Sequence, residues 1–463
     1  MATDGPPAQA QGGDLEKLGY KQELKRVLGT RELLIYGIAM MVPIAPVAIY
    51  GTVTSVTNGH MATAYLVAML AMALTARSYG LMAGAFPVAG STYSYTQRSL
   101  NPHLGLLAGW AIMLDYMLMP LLSYVIAAIF GSTLLPGVGY WVWIVGALVI
   151  VTVVNVIGVK SLANVTQALV VFMFLVLIYF VVSAVIGLER GVGAGTVFSL
   201  APFYTKGTFG WSAIMAGTAI ACFSFLGFDA VTTMSEEVKN PRATISKATV
   251  LSCFIVGLLF ILQAYLAQLI WPDYKSIPDL DAAFYFVAGR VGGQALSLSL
   301  TLAIMAACLA NALDAQAGAA RLLYGMGRDE VIPRRVFAYL HPKTKTPVFN
   351  ILLLAVVALV GATQALDTIV SMINFGALVG FTLVNLSVIA HYFIKKRERG
   401  GAAVLNYLIL PGLGALVCLA LWANLSHLAL TVGFVWLGLG LVYTAVTTNF
   451  FRKEPPILKE AQL

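Results

Sequence analysis

Twelve separate stretches of about twenty mostly apolar residues dominate this chain, and no water-facing fold of this length can bury them all. A bilayer core about 30 Å thick needs about 20 such residues for each helical crossing. The stretches run approximately from Leu33 to Val56, Ala62 to Leu81, Leu104 to Phe130, Trp141 to Val159, Leu162 to Ile186 and Trp211 to Thr233. The other six run from Thr249 to Leu269, Ala295 to Ala319, Pro347 to Leu366, Ile369 to Phe393, Val404 to Trp422 and Leu428 to Thr447. Backbone groups in lipid find no water, so each stretch is expected to satisfy its own amides as an α-helix. The short alternating strands of a membrane barrel are not visible. The 463 residues are 59% hydrophobic and 10% charged, with a mean hydropathy of +0.86. Soluble domains carry about 25% charged residues, so lipid must cover much of this surface. Soluble enzymes, disordered tails and nucleic-acid binders are excluded as the main reading, despite a net charge of +8.

Lys and Arg accumulate in cytoplasmic loops, which gives a test of orientation. With both termini cytoplasmic, 24 of the 28 Lys and Arg lie inside, and only Arg190, Lys206, Lys275 and Arg290 lie outside. No Lys or Arg then falls at mid-membrane, and Trp141, Trp143, Trp211 and Trp271 sit at the outer interface that indoles prefer. Residues 1–30 form a polar cytoplasmic tail without the apolar core of a cleaved signal peptide. Cys222, Cys253, Cys308 and Cys418 fall inside apolar runs and are expected as buried free thiols. His60, His103, His341, His391 and His427 stand singly near helix ends and are expected at interfaces, with no metal pair. No cofactor site and no catalytic triad or carboxylate pair stands out in the short loops, and no signal indicates an oligomeric state.

Two crossings carry interruptions. The first contains MMVPIAPVAIYG, where Pro43 and Pro46 each remove a backbone donor and clash with the preceding turn. The sixth contains ACFSFLGFDAV, where Ser224, Gly227 and Asp229 gather in an apolar run. Interrupted helices at corresponding positions of two halves point to a transporter site, because unwound backbone at that depth must line a cavity. Crossings one and six each open a set of five. The expected plan is a first repeat over 31–190, an inverted second repeat over 208–398, two further crossings over 400–450 and a tail over 451–463.

The segments GFDAVTTMSEEVKNPRATISKA and RLLYGMGRDEVIPRRVFAYLHPKTKTP resemble loop patterns of the amino acid–polyamine–organocation transporters. FPVAGSTYSYTQRSLNP, GWAIMLDYMLMP, CFSFLGFD and INFGALVGFTLVNLSVI are similar to the bacterial putrescine importers of that family. The resemblance implies a leucine-transporter-type fold of twelve transmembrane helices in the cytoplasmic (inner) membrane of a bacterium. It also implies a central site between crossings one, three, six, eight and ten, open alternately to either side. The freed backbone of the first break, Met41, Val42, Ile44 and Ala45, is then expected to contact substrate, with Phe223, Ser224, Phe225 and Gly227 opposite it. Half-helix ends expose carbonyls that can hold an ammonium, and an aromatic face adds a cation–π contact.

Three acids lie deep in apolar runs, where charge is costly and usually functional. Asp115 sits about 16 Å into the third crossing at 1.5 Å per residue. It reads either as an anchor for a substrate ammonium or proton, or as a structural acid bonded to Tyr116. Asp229 matches a position linked to gating and proton coupling in the family, and reads otherwise as a helix-end carboxylate held by amides. Asp314 is not expected from the resemblance, and reads equally as an ion-pair partner of Arg321 or as a substrate or proton site. Putrescine importers carry an acid just after the proline of the first break, whereas VPIAPVAIY has none. The fifth crossing lacks the lysine that replaces sodium in some relatives. The resemblance therefore favours proton coupling. Sodium coupling would draw on Asn311 and Asp314, and substrate exchange is a third route. The expected function is import of a small organic cation, putrescine or a related amine, by proton symport. Amino acid permeation or exchange is the alternative, and a non-transporting sensor a remote one.

Overall fold

The computed structural model describes residues 28–87, 91–157, 163–235, 238–328, 332–344 and 346–453. Most of both expected tails, Lys160 and the Glu236–Glu237 pair lie outside these residues. The described chain is helical throughout. Its one β-type contact is an isolated parallel bridge between Leu28 and Val238.

The first expected crossing is two helices, α1 (Thr30–Met40) and α2 (Pro46–Val56), bent by 50° across residues 41–45. Then come α3 (Met61–Ala85), a short polar helix α4 (Ser91–Ser99), α5 (Pro102–Leu134), α6 (Tyr140–Ile157) and α7 (Ala163–Glu189). The sixth crossing is α8 (Trp211–Ala221), a 3-10 turn (Cys222–Phe225) and a single-turn α9 (Ala230–Thr233). It is followed by α10 (Pro241–Ile270), α11 (Ala283–Arg328), α12 (Arg334–Phe337), α13 (Val348–Gly361) and α14 (Leu366–Val388). A π-turn over Ile389–Lys395 extends α14. The chain closes with α15 (Gly401–Val404), a π-turn over Leu405–Ile409, α16 (Leu410–Ala423) and α17 (His427–Thr447). Among the described residues ten helical segments are long and apolar enough to span a membrane, or eleven with the bent pair α1/α2. The expected crossing from Pro347 to Leu366 is shorter than its sequence suggested. Its helix α13 has 14 residues, about 21 Å at 1.5 Å per residue, and a polar turn at Thr363 and Gln364 separates it from α14. The expected crossing Ala295–Ala319 is longer, because α11 continues on both sides, broken only at Gly293 (φ 62°).

The apolar faces sort these helices into inner and outer sets. The most apolar stretches of α3, α5 and the sixth crossing are 67% buried and that of α14 78%, whereas α6, α7, the α15–α16 segment and α17 reach only 22–28%. Lipid must cover the latter. α5 and α14 approach closely: a Cβ on Gly376 would lie 2.4 Å from the Ala111 carbonyl oxygen, so only glycine allows this backbone contact. α17 is fastened to α5 by reciprocal indoles. Trp110 Nε1–H donates to Trp436 O (2.9 Å), Trp436 Nε1–H donates to Trp110 O (2.7 Å), and the rings stack at 4.9 Å. All four cysteines are buried and free. His60 stands at the head of α3, 1% exposed, with Nδ1 3.0 Å from Thr57 O.

A cavity between two interrupted helices

Proline shapes the first break. Pro43 and Pro46 lack N–H donors, and Val42 adopts φ +47°. The bonding tightens past the prolines, with Val47 N–H donating to Ile44 O (3.0 Å) and Ala48 N–H to Ala45 O (3.1 Å). Each reaches three residues back, not four. In the sixth crossing the α-helix gives way to the 3-10 turn at Cys222, and the chain then runs irregularly through Gly227 (φ +110°) to Asp229. The breaks touch: a Cβ on Gly227 would lie 2.7 Å from Met40 O.

A cavity of about 70 Å³ opens where they meet, lined by both breaks and by faces of α5 and α11. Of the expected residues, Met41, Val42, Ala45, Phe223, Ser224 and Asn311 line it. Ile44 and Phe225 do not line it. At about 120° per residue in 3-10 geometry, Phe225 turns away from the face of Phe223 and Ser224. It packs on Phe260 (5.2 Å) and Tyr65 (6.3 Å) in the core. Ile44 is likewise 1% exposed within the apolar core. Gly227 acts through its backbone contact with α1.

The polar groups of the cavity are neutral. Asn311 Nδ2–H donates to Ser123 Oγ across it (3.0 Å). The Ser224 hydroxyl pairs with the buried Tyr65 hydroxyl (2.7 Å). Ser123, Met119, Cys308 and Tyr65 were not expected at the site. Ser123 alone had a visible signal, as a hydroxyl in the apolar run LMPLLSYVIAAIF.

The expected acids do not line the cavity; they lie beside it. Asp115 precedes the lining residue Met119 by four positions, one turn or about 6 Å along α5. It shares a face with Met119, Leu122 and Ile126. It is partly accessible and makes no hydrogen bond among the described residues, so the alternative reading, a structural acid bonded to a neighbouring tyrosine such as Tyr116, finds no such bond. Asp229 heads α9 and accepts from Gly227 N–H at 3.3 Å, a helix-end carboxylate held by backbone. The two carboxylates interact electrostatically. Asp314 lies one turn past Asn311, exposed, with no direct salt bridge to Arg321 among the described residues but under the influence of its charge. Asn155 Nδ2 ties this end of α11 to the end of α6, donating to Gln316 Oε1 (2.9 Å) and to Leu313 O (3.2 Å). That is the side from which α5 enters. All three acids therefore stand at one end of the cavity, on the side of Leu28. Among the described residues no cluster of three or more His, Cys, Asp or Glu is set to hold a metal.

A family profile described as amino acid permease matches residues 32–453. The low-affinity putrescine importer PlaP of Escherichia coli is 37% identical over 435 residues, covering 94% of this chain and 96% of its own. The branched-chain amino acid permease BcaP of Bacillus subtilis is 26% identical, covering 91% and 93%. The methylthioribose transporter of the same organism is 27% identical, also covering 91% and 93%. A match spanning nearly the whole chain carries the cavity and both breaks with it, so the protein belongs to the amino acid permease family, a family of membrane transporters and not of enzymes.

Proposed function

We propose that this protein imports a small organic amine, putrescine or a related cation, by alternating access and proton symport. The observation that carries the reading is the cavity between two interrupted helices, with Asp115 one helical turn from its wall and Asp229 and Asp314 on the same side. A cation drawn to that end meets carbonyls of the breaks and the ring of Phe223, groups that suit an ammonium. The likeness to a putrescine importer supports the substrate class. In this reading the chain makes twelve crossings in a 5+5 inverted repeat plus two, in the bacterial inner membrane, with both termini cytoplasmic. α13 spans by local thinning of the bilayer. Asp115 anchors ammonium, and Asp229 or Asp115 carries the coupling proton. Sodium held near Asn311 and Asp314, or exchange of substrates, are the rival couplings.

A second reading, an amino acid permease or exchanger, is favoured by one observation: no carboxylate lines the cavity. A neutral side chain fits such walls, with the zwitterionic head against the two helix ends. Uptake of labelled putrescine into proteoliposomes decides between them. Inward-acid vesicles lack the driving force, so the importer reading expects accumulation only when the outside is more acidic, with stronger competition from diamines than from a monoamine or leucine. Strong competition by leucine alone replaces it with the second reading, and no uptake of any solute leaves only a sensor.

A further inference from the structure

Both breaks leave backbone carbonyls without helical partners, and a carboxamide from an unbroken neighbouring helix meets each. In the first break Val47 N–H, which an α-helix would send to Pro43 O, bonds Ile44 O instead. Gln263 of α10 supplies the missing donor, its Nε2–H reaching Pro43 O at 2.9 Å and Leu259 O of its own helix at 3.1 Å. In the sixth crossing the switch to 3-10 bonding strands a carbonyl at the junction. Asn374 of α14 donates there from Nδ2, to Ala219 O at 2.8 Å and Ile220 O at 3.3 Å. Gln263 is 0% and Asn374 1% exposed.

Each amide is only half satisfied. Gln263 Oε1 and Asn374 Oδ1 are buried and without a hydrogen-bond partner. Buried acceptors without a partner are unfavourable. Leucine or methionine in either place would leave no orphan acceptor, but would leave Pro43 O or Ala219 O unpaired.

We propose that Gln263 and Asn374 are positioning residues that hold the two breaks open toward the cavity, each through its donor, with its free acceptor ready for an amide released when the half-helices move. The backbone they hold carries the cavity wall: Met41, Val42 and Ala45 follow from the first clamp, Phe223 and Ser224 from the second. The clamps thus set the geometry in which the substrate is gripped, without touching it.

The test uses the purified full chain in nanodiscs and the variants Gln263→Met and Asn374→Leu, which keep approximate size and remove the donor. Hydrogen–deuterium exchange needs no substrate. Exchange should rise at least tenfold over residues 41–48 in Gln263→Met alone, and over 219–226 in Asn374→Leu alone. Uniform loss of protection, or none, overturns the proposal. The transport arm rests on the amine-importer reading, and expects KM for putrescine to rise at least tenfold with maximal rate changed less than threefold. Gln263→Glu adds a readout that packing alone would not move, since a protonated carboxyl can donate to Pro43 O and a carboxylate cannot. Exchange over 41–48 in this variant should return toward wild type as pH falls, and no pH response overturns the first clamp. If wild type carries no putrescine while the exchange pattern holds, the substrate reading falls and the clamps stand.

Discussion

Gly227→Ala tests whether contact between the two breaks builds the site. Gly227 adopts φ +110°, and a Cβ there would sit 2.7 Å from Met40 O, 2.9 Å from Met40 C and 3.2 Å from Met40 Cβ. The first two obstacles are backbone, so no flexible side-chain end can swing aside. A non-glycine residue at positive φ costs about 1–2 kcal/mol, and forced separation of packed groups about 1–3 kcal/mol. Together these give roughly 2–5 kcal/mol. If the strain falls on the conformation that grips substrate, at about 1.4 kcal/mol per tenfold the affinity drops roughly 30-fold to several-thousand-fold. If it falls on every conformation, the loss shows as a lower melting temperature. Equilibrium binding of labelled putrescine and thermal melting in detergent cover both cases. Gly146→Ala is the control, because a Cβ there meets nothing within 4 Å and α6 gains about 0.5–1 kcal/mol of helix propensity. Wild-type affinity together with wild-type melting in Gly227→Ala would refute the reasoning.

Asp115→Asn is expected to abolish putrescine uptake with the melting temperature unchanged, and unchanged kinetics would reject the anchor role. Tyr65→Phe and Ser224→Ala each remove the 2.7 Å hydroxyl pair and should each cost about 1 kcal/mol. The double variant should cost less than their sum, as a double-mutant cycle on melting would show. Trp110→Phe deletes one indole bond to α17 and should lower stability by about 1–2 kcal/mol with KM unchanged. At the loop before α11, desolvation raises the Asp281 pKa, and the charges of Asp279 and Asp367 raise it further. A raised folded-state pKa favours the fold while the group is protonated, and that contribution is lost as pH rises through it. Asp281→Asn should therefore match wild type in acid and melt at or above it near neutral pH, and the opposite trend would refute the assignment.

The fold and the position of the site were legible where single residues dictate local chemistry. Pro43 and Pro46 lack a donor wherever they stand, so the first break could be placed before any neighbour was known. The run CFSFLGFD announced the second by gathering Ser224, Gly227 and Asp229 in an apolar stretch, although which of its aromatics faces inward depends on the 3-10 turn that Phe223 and Phe225 share. The shortness of α13 was hidden because the apolar residues Ala362, Ala365 and Leu366 flank Thr363 and Gln364, so the expected crossing was carried past Gly361 where the helix ends. Gln263 and Asn374 were visible as polar residues in the apolar runs FILQAYLAQL and SMINFGALVG, but a buried amide shows no purpose until its partner is known.

The sequence by itself determined that the chain lies in a membrane, that it is helical, and that two of its crossings break near their middles, because these follow from apolar length, from the missing N–H groups of Pro43 and Pro46, and from the polar and glycine residues Ser224, Gly227 and Asp229. Tertiary structure decided what fills the gap between the breaks. Asn311 and Ser123 meet across 188 residues of chain, and Gln263 reaches Pro43 across 220. It also moved the negative charge from the cavity wall to one end. Helix rotation and packing fix which face of α5 or α11 looks inward, and those depend on neighbours that no local reading of the chain contains.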